Sequence, residues 1–258
     1  MQMVKKTAYE RVQAARNTQK ISTDELIHGL ISDFFELHGD RSDGDDQAVI
    51  GGVGLLNDEP LTVVGIRKGS DTEENIKRHF GSPEPEGYRK ALRLMKQAEK
   101  FHRPILALVN TPGAWPDVDA EYHGVGSAIA QCLQVGMQLK VPYISMIVGE
   151  GGSGGAIALA CGDKVFMFED SIYSVLSPEG YASIMWKDSS KVAQAAEELK
   201  LTPDRLLESG IIDQIIHEYR PGDDLKPLRD FLYNQFNELK NLPTDELLRQ
   251  RRERYRKF

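Results

Sequence analysis

Five glycines fall within the seven residues Gly149–Gly155, inside IVGEGGSGGAIALA (147–160). An apolar run, VPYISMIV, leads into them and an alanine-rich run follows. Without a Cβ, backbone N–H groups can approach a ligand closely. Three chemistries fit. Gly149-x-Gly151-x-x-Gly154 matches the dinucleotide fingerprint, with Glu169 and Asp170 roughly where a ribose-binding acid would lie. Gly151-x-Ser153-x-Gly155 matches a serine nucleophile elbow, with Asp213 and His217 in the chain order of a triad. The third is an oxyanion hole, in which backbone N–H groups face charge that develops during a reaction. A Walker loop is excluded because no GK[ST] follows. The bland alternative is a tight turn where a helix packs on a strand.

Other candidates are softer. Residues 66–103 hold ten Lys/Arg against six Asp/Glu. Arg67, Lys68, Arg89, Lys90 and Arg93 there suit either a phosphate-bearing ligand or a solvated helix face. Trp115 and Asp117 occupy a second glycine loop, NTPGAWPD, as a ligand contact or a packing lid. The basic stretch RQRRERYRK reads as a solvated helix end. The six histidines show no HxH or HExxH spacing, and no protein-bound metal is expected.

The 258 residues are 40% hydrophobic and 28% charged, the composition of a globular protein. A formal charge of −7 argues against wholesale nucleic-acid binding. Cys132 and Cys161, both in expected helices, lack CxxC spacing, so neither a disulfide framework nor a cysteine zinc site is indicated. MQMVKKTAYERVQ has no apolar core, and no run of about 18 apolar residues occurs, so neither a signal peptide nor a membrane span is expected. A reducing cytoplasm fits best.

The elements that must position these loops read as follows. Residues 5–18 form a polar helix. Ser22–His38 forms a second, opened by the Ser22/Glu25 capping box, with Leu26, Ile27, Leu30, Ile31, Phe34 and Phe35 as its stripe. AVIGGVGLL and LTVVGIR form a hairpin across Asn57-Asp58-Glu59-Pro60. A charged helix (71–80) and a long helix (88–102) follow. Then one pattern occurs twice: Pro, buried strand, glycine loop, helix. PILALV leads to a helix from about Asp119 to Leu139, and PYISMIV to a helix ending near Cys161. Helical crossovers between buried strands imply parallel pairing. KVFMFE, IYSVL and IIDQII are further strands, SPEG opens a helix on Pro178, and helix fills the chain from Asp223. No linker divides the chain. One domain is expected over 1–258: N-terminal helices (1–38), a core (39–220) and C-terminal helices (221–258).

ELHGDR (36–41), KGSDTEENIKRHFG (68–81), PEPEGYRKALRLMKQAEKF (83–101), TPGAWP, GEGGSGGA, YSVLSPEGYASIMWKD (173–188) and LPTDELLRQRRERY together resemble the alpha subunit of the bacterial acetyl-CoA carboxylase carboxyltransferase. The resemblance covers nearly the whole chain. It implies an α/β crotonase-like (ClpP/crotonase) fold of repeated ββα units with helical N- and C-terminal extensions. It implies transfer of a carboxyl group from carboxybiotin, on the biotin carboxyl carrier protein, to acetyl-CoA, giving malonyl-CoA for fatty-acid synthesis. It further implies an alpha2beta2 assembly with a zinc-ribbon beta subunit, working with biotin carboxylase, with no metal in this chain and no nucleic acid or membrane required. The family's biotin-side oxyanion hole corresponds to Gly151 and Gly152. Gly113, Ala114, Ser153, Gly154, Gly155 and Lys68 correspond to cofactor-binding positions. No protein general base is then needed, because the biotin nitrogen can take the proton. The family pattern PGAYPGIGAEERGQ is replaced here by PGAWPDVDAEYHGVGS (112–127), with Asp117 and Asp119 for glycines and His123 for a basic residue. Ile66-Arg67 stands where His-Gln is common. The rivals are a stand-alone crotonase-like acyl-CoA hydratase or hydrolase, a serine hydrolase, and a non-catalytic paralogue that only assembles with the beta subunit.

Overall fold

The computed structural model describes residues 6–258, so the expected start of the first helix, at residue 5, lies outside the described residues. That helix is α1 (Ala8–Ala15), capped by Thr7 with Glu10 closing a capping box. The Ser22/Glu25 box forms as expected and opens α2 (Thr23–Leu30). The expected continuation to His38 does not occur. Ile31 is extended and β1 (Ser32–Glu36) follows. Leu26, Ile27 and Leu30 keep the helical stripe, but Phe34 and Phe35 belong to the strand. The strand satisfies backbone groups along the edge of β2 (Val49–Leu56), pairing antiparallel with Phe35 opposite Val53. A Cβ on Gly52 would lie 2.2 Å from the Phe35 carbonyl oxygen, so glycine permits this pairing.

The expected hairpin forms between β2 and β3 (Glu59–Ile66). Its turn is only Asn57–Asp58, both at positive φ, while Glu59 and Pro60 already belong to β3. The charged helix is α3 (Thr72–Lys77) with a 3₁₀ turn behind it, and the long helix is α4 (Pro85–Lys100), opened by Pro85. After β4 (Ile105–Thr111) the single expected helix is broken at Gly124, at φ 81°, into α5 (Val118–Tyr122) and α6 (Val125–Gly136). β5 (Tyr143–Gly152) does not stop at the first glycine. It runs on to Gly152 because β4 and β7 (Ile172–Ser174) both pair with its glycine end. α7 (Ser153–Ile157) is one short turn, so Cys161 is buried beyond it rather than in a helix. β6 (Lys164–Phe168) comes between α7 and β7. Then follow α8 (Pro178–Trp186), α9 (Val192–Glu198), α10 (Pro203–Glu208), β8 (Gln214–Ile216), α11 (Lys226–Lys240) and α12 (Thr244–Tyr255). α9 and α10 are not foreseen.

The sheet order is β1-β2-β3-β4-β5-β6-β8, with β7 on β5. Every pairing from β3 to β8 is parallel. Alternate residues of the buried strands face opposite layers. Leu106, Leu108, Ile144 and Met146 join the core under α2 and α11. Ile105, Ala107, Val109 and Ile147 join the core under α4. No helix among the described residues is long and apolar enough to cross a membrane.

Two polar fastenings hold this frame. The buried Asp40 carboxylate accepts the Ser42, Asp43 and Gly44 N–H groups and the Arg89 guanidinium. Burial alone raises its pKa, but Arg89 and these N–H groups bring it down to about 2. The folded value lies below the unfolded one of about 3.9. The resulting stability is therefore present above about pH 4 and is lost as pH falls toward 2. Urea midpoints should decline over that window, and Asp40→Asn should flatten the decline. The second fastening is Arg251 of α12, whose side chain is wholly buried. It donates to both oxygens of Asp163 at 2.7 Å and to the carbonyls of Gly136, Leu139 and Val141 at 2.9, 2.7 and 3.1 Å.

Candidate active site

Parallel neighbours place their C-terminal ends side by side, so β4 and β5 bring the two glycine loops together. The contact admits no side chain. A Cβ on Gly152 would lie 2.0 Å from the Pro112 carbonyl oxygen, and one on Gly155 would lie 2.6 Å from the Ala114 nitrogen. The first loop is held on both sides of Ala114. The Thr111 hydroxyl accepts the Gly113 N–H at 3.0 Å and donates to the Gly113 carbonyl at 2.8 Å. The Trp115 N–H donates to the Pro83 carbonyl at 3.0 Å. Gly113 itself sits at φ 148°, a backbone state that L side chains disfavour. Trp115 stacks on His79, with ring centroids 4.4 Å apart, and its indole N–H reaches Asp117. That is the packing-lid geometry.

Beside this junction lies a cavity of about 200 Å³. Gly151, Gly152 and Ser153 bound it on one side, Pro112 on another, and the β7–α8 connection on a third. Gly113, Ala114, Gly154, Gly155 and Lys68 are not among its lining residues. Gly113, Ala114 and Gly155 buttress it through the loop-to-loop contact.

Glu150 is the cavity-lining residue that the motifs hide. Within the glycine run it reads as a spacer, yet it is buried and its carboxylate binds both Lys68 and Arg16. Burial raises its pKa, but Lys68 and Arg16 outweigh burial and hold it below the ordinary carboxylate value. Arg16, which lines the cavity, also donates to both oxygens of Glu179, at 2.7 and 3.2 Å. Two cations thus face two carboxylates, so the side chains beside the cavity carry no net charge. Glu150→Leu removes the shared partner of Lys68 and Arg16. Both cations are partly solvated, so a stability loss of about 1–3 kcal/mol is expected in urea denaturation.

The rival chemistries are not assembled. Asp213 accepts the Val165 N–H and pairs with Arg254, while the exposed His217 pairs with Glu169 at 3.2 Å. No hydrogen bond links Ser153 to either of them among the described residues, although Ser153 does sit at φ 48°. Asp170 is engaged by Lys6, so neither ribose-type acid stands free. The basic excess of 66–103 is used internally. Arg67 binds Asp24, Arg89 binds Asp40, Asp43 and Glu86, Lys90 binds Asp45, and Arg93 binds the Gly39 carbonyl. Asp40, Asp43 and Glu86 converge as a cation site might, but Arg89 already occupies them.

The chain matches the acetyl co-enzyme A carboxylase carboxyltransferase-like family over residues 2–258. It is 53% identical over 255 residues to the acetyl-coenzyme A carboxylase carboxyl transferase subunit alpha of Clostridium perfringens (strain SM101 / Type A), covering 96% of this chain and 94% of that one. The corresponding subunit of Streptococcus pneumoniae (strain Hungary19A-6) is 50% identical over 249 residues, with 96% and 98% covered. Among solved structures, transcarboxylase 12S superposes with a TM-score of 0.70 at 19% identity, covering 86% of this chain and 43% of the transcarboxylase chain. The beta subunit of Pseudomonas aeruginosa geranyl-CoA carboxylase gives 0.69 at 16% identity, covering 94% and 45%. The chain thus spans under half the length of each of those two structures, and at such identities they bear on the fold alone, which is the expected crotonase-like one. Two glycine loops meeting at the ends of parallel strands, in a sequence about half identical to named subunits over nearly its full length, make this chain a member of the acetyl-CoA carboxylase carboxyltransferase alpha-subunit family.

Proposed function

We infer that this chain is the alpha subunit of a biotin-dependent carboxyltransferase that forms malonyl-CoA from acetyl-CoA. One observation carries the assignment of its site: the Gly152 backbone lies so close to Pro112 that no side chain fits between the loops. Carboxybiotin, when bound through its carrier protein, supplies the carboxyl group. This chain's part is to hold backbone donors where negative charge develops. Gly151 and Gly152 are assigned that role at the cavity beside Ser153. Sheet pairing fixes both residues before substrate arrives, so little reorganisation is needed during the reaction. Gly113, Ala114 and Gly155 support them from behind, and Ser153 continues the wall. Lys68 acts through Glu150 rather than on the cavity itself. The assembly is proposed as alpha2beta2 with a zinc-ribbon beta subunit that completes the acetyl-CoA side. Biotin carboxylase and the carrier protein are the further partners, and the cytoplasm is the proposed location. Residues 1–258 are assigned to one carboxyltransferase domain.

The test is reverse transfer, malonyl-CoA-dependent carboxylation of biocytin, by the chain alone and with its co-expressed beta subunit. Activity only in the pair is expected. Turnover by the chain alone would favour the stand-alone hydrolase or hydratase. A well-formed but inactive pair would favour the assembly-only paralogue, with loop 112–127 the first segment to revert.

A further inference from the structure

Tyr88, on the first turn of α4, is fully buried, and its hydroxyl has no hydrogen-bond partner among the described residues. A buried hydroxyl without a partner weakens a fold, and phenylalanine of the same shape would avoid the cost. The other buried polar atoms in this state belong to guanidinium, carboxylate or imidazole groups that carry a further polar atom. Tyr88 has only the one.

Its location gives that hydroxyl a use. A Cβ built on Gly155 would meet three atoms at 2.6–2.7 Å: the Ala114 nitrogen, the Gly113 carbonyl carbon and the Tyr88 hydroxyl oxygen. The phenol therefore ends beside the Gly113–Ala114 peptide, where the first glycine loop meets α7. It is held there firmly. The buried Asp46 carboxylate accepts the Glu84 N–H at 2.9 Å, fixing the start of α4, and the Cys132 thiol donates to the Tyr88 carbonyl. The peptide has room on one side. Thr111 holds Gly113 and Pro83 holds Trp115, but the Cβ direction of Gly113 is open for 4 Å. This loop is also what backs Gly152.

We propose that Tyr88 is a positioning residue for carboxyl transfer, its hydroxyl bonding the Gly113–Ala114 peptide when the first glycine loop closes on bound substrate. The bond would fix the wall behind Gly152 at the moment its N–H is needed. The inference rests on the carboxyltransferase reading above.

Tyr88→Phe in the co-expressed pair separates this role from packing. Reverse transfer from malonyl-CoA to biocytin should show kcat falling by up to about tenfold, the worth of one hydrogen bond that favours the closed, competent form of the bound complex. KM for malonyl-CoA should move less than about twofold. The thermal midpoint should hold or rise, because the unpartnered hydroxyl is gone. Amide exchange at residues 113–115 should slow on adding malonyl-CoA and biocytin to the wild type, and not in the variant. Unchanged kcat in a folded variant, or equal protection in both proteins, would overturn the proposal. An inactive wild-type pair would sink the carboxyltransferase reading and this inference together, whereas an active wild type matched by an equally active variant would sink this inference alone.

Discussion

Gly152→Val should lower reverse transfer by at least about a thousandfold while the subunits still co-purify. Loss of one oxyanion donor costs about 10²–10³ in kcat. Valine keeps its backbone N–H, so the loss comes from the side chain displacing that donor. Its first carbon would stand 2.0 Å from the Pro112 oxygen and 2.3 Å from the Pro112 carbonyl carbon. Both are backbone atoms, so no rotamer relieves the clash. Either β5 or the first loop must shift, and the cavity shared by Pro112 and Gly152 changes shape. Gly152→Ala meets the same obstacle and should already lose most activity. Gly154→Ala makes a useful contrast, because its Cβ would meet only the Ile129 side chain, at 3.8 Å. That variant should keep transfer within about threefold. Wild-type turnover by Gly152→Val would remove the oxyanion assignment.

Arg251→Met should destabilise the fold by about 3–5 kcal/mol, the cost of breaking one half of a buried ion pair. The substitution leaves Asp163 buried and strips three carbonyls of their donor. Burial keeps the Asp163 carboxyl above its ordinary value even with Arg251 beside it. Without Arg251 it should rise further and bind a proton in the folded state. Folded pKa above unfolded pKa means stability is regained as pH falls. The urea midpoint of the variant should therefore recover partly as pH is lowered from neutral, by more than that of the wild type. Adding Asp163→Asn should restore part of the loss at neutral pH, since Tyr143 N–H still finds an acceptor there. A full-strength Arg251→Met protein would show that the ion pair is dispensable.

Much of the frame was legible because periodicity and punctuation are local. The Ser22/Glu25 box, a hairpin turn within Asn57-Asp58-Glu59-Pro60 and the twice-repeated order of buried strand and glycine loop each need only a few neighbours, and each formed. What failed depends on distant partners. Phe34 and Phe35 continue a helical stripe in sequence, yet an open sheet edge claims them for β1. The glycines of 149–152 look like a strand terminator, but β7, some twenty residues later, keeps them in the sheet. The site divides in the same way. Gly151 and Gly152 were nominated by motif, and the structure places both at the cavity. Glu150 and Arg16 were missed because nothing local says that a spacer glutamate will meet an arginine 134 residues away. Arg67, Arg89, Lys90 and Arg93 looked available because Asp24, Asp40, Asp45 and the Gly39 carbonyl lie 43, 49, 45 and 54 residues back.

The Arg251 fastening also sets an order of events during synthesis. Both glycine loops are complete once residue 155 has been made, but the guanidinium that ties down the Gly136, Leu139 and Val141 carbonyls is encoded almost a hundred codons later. At about 5–20 residues per second, a ribosome leaves that interval open for roughly 5–20 s. Throughout it the nascent β5 has its apolar strand and its glycine loop without the clamp that secures the start of the strand. A stalled or prematurely terminated message therefore yields a chain with every residue assigned to the cradle and no lasting cradle, and proteolysis of such products should be fast relative to that of the finished protein.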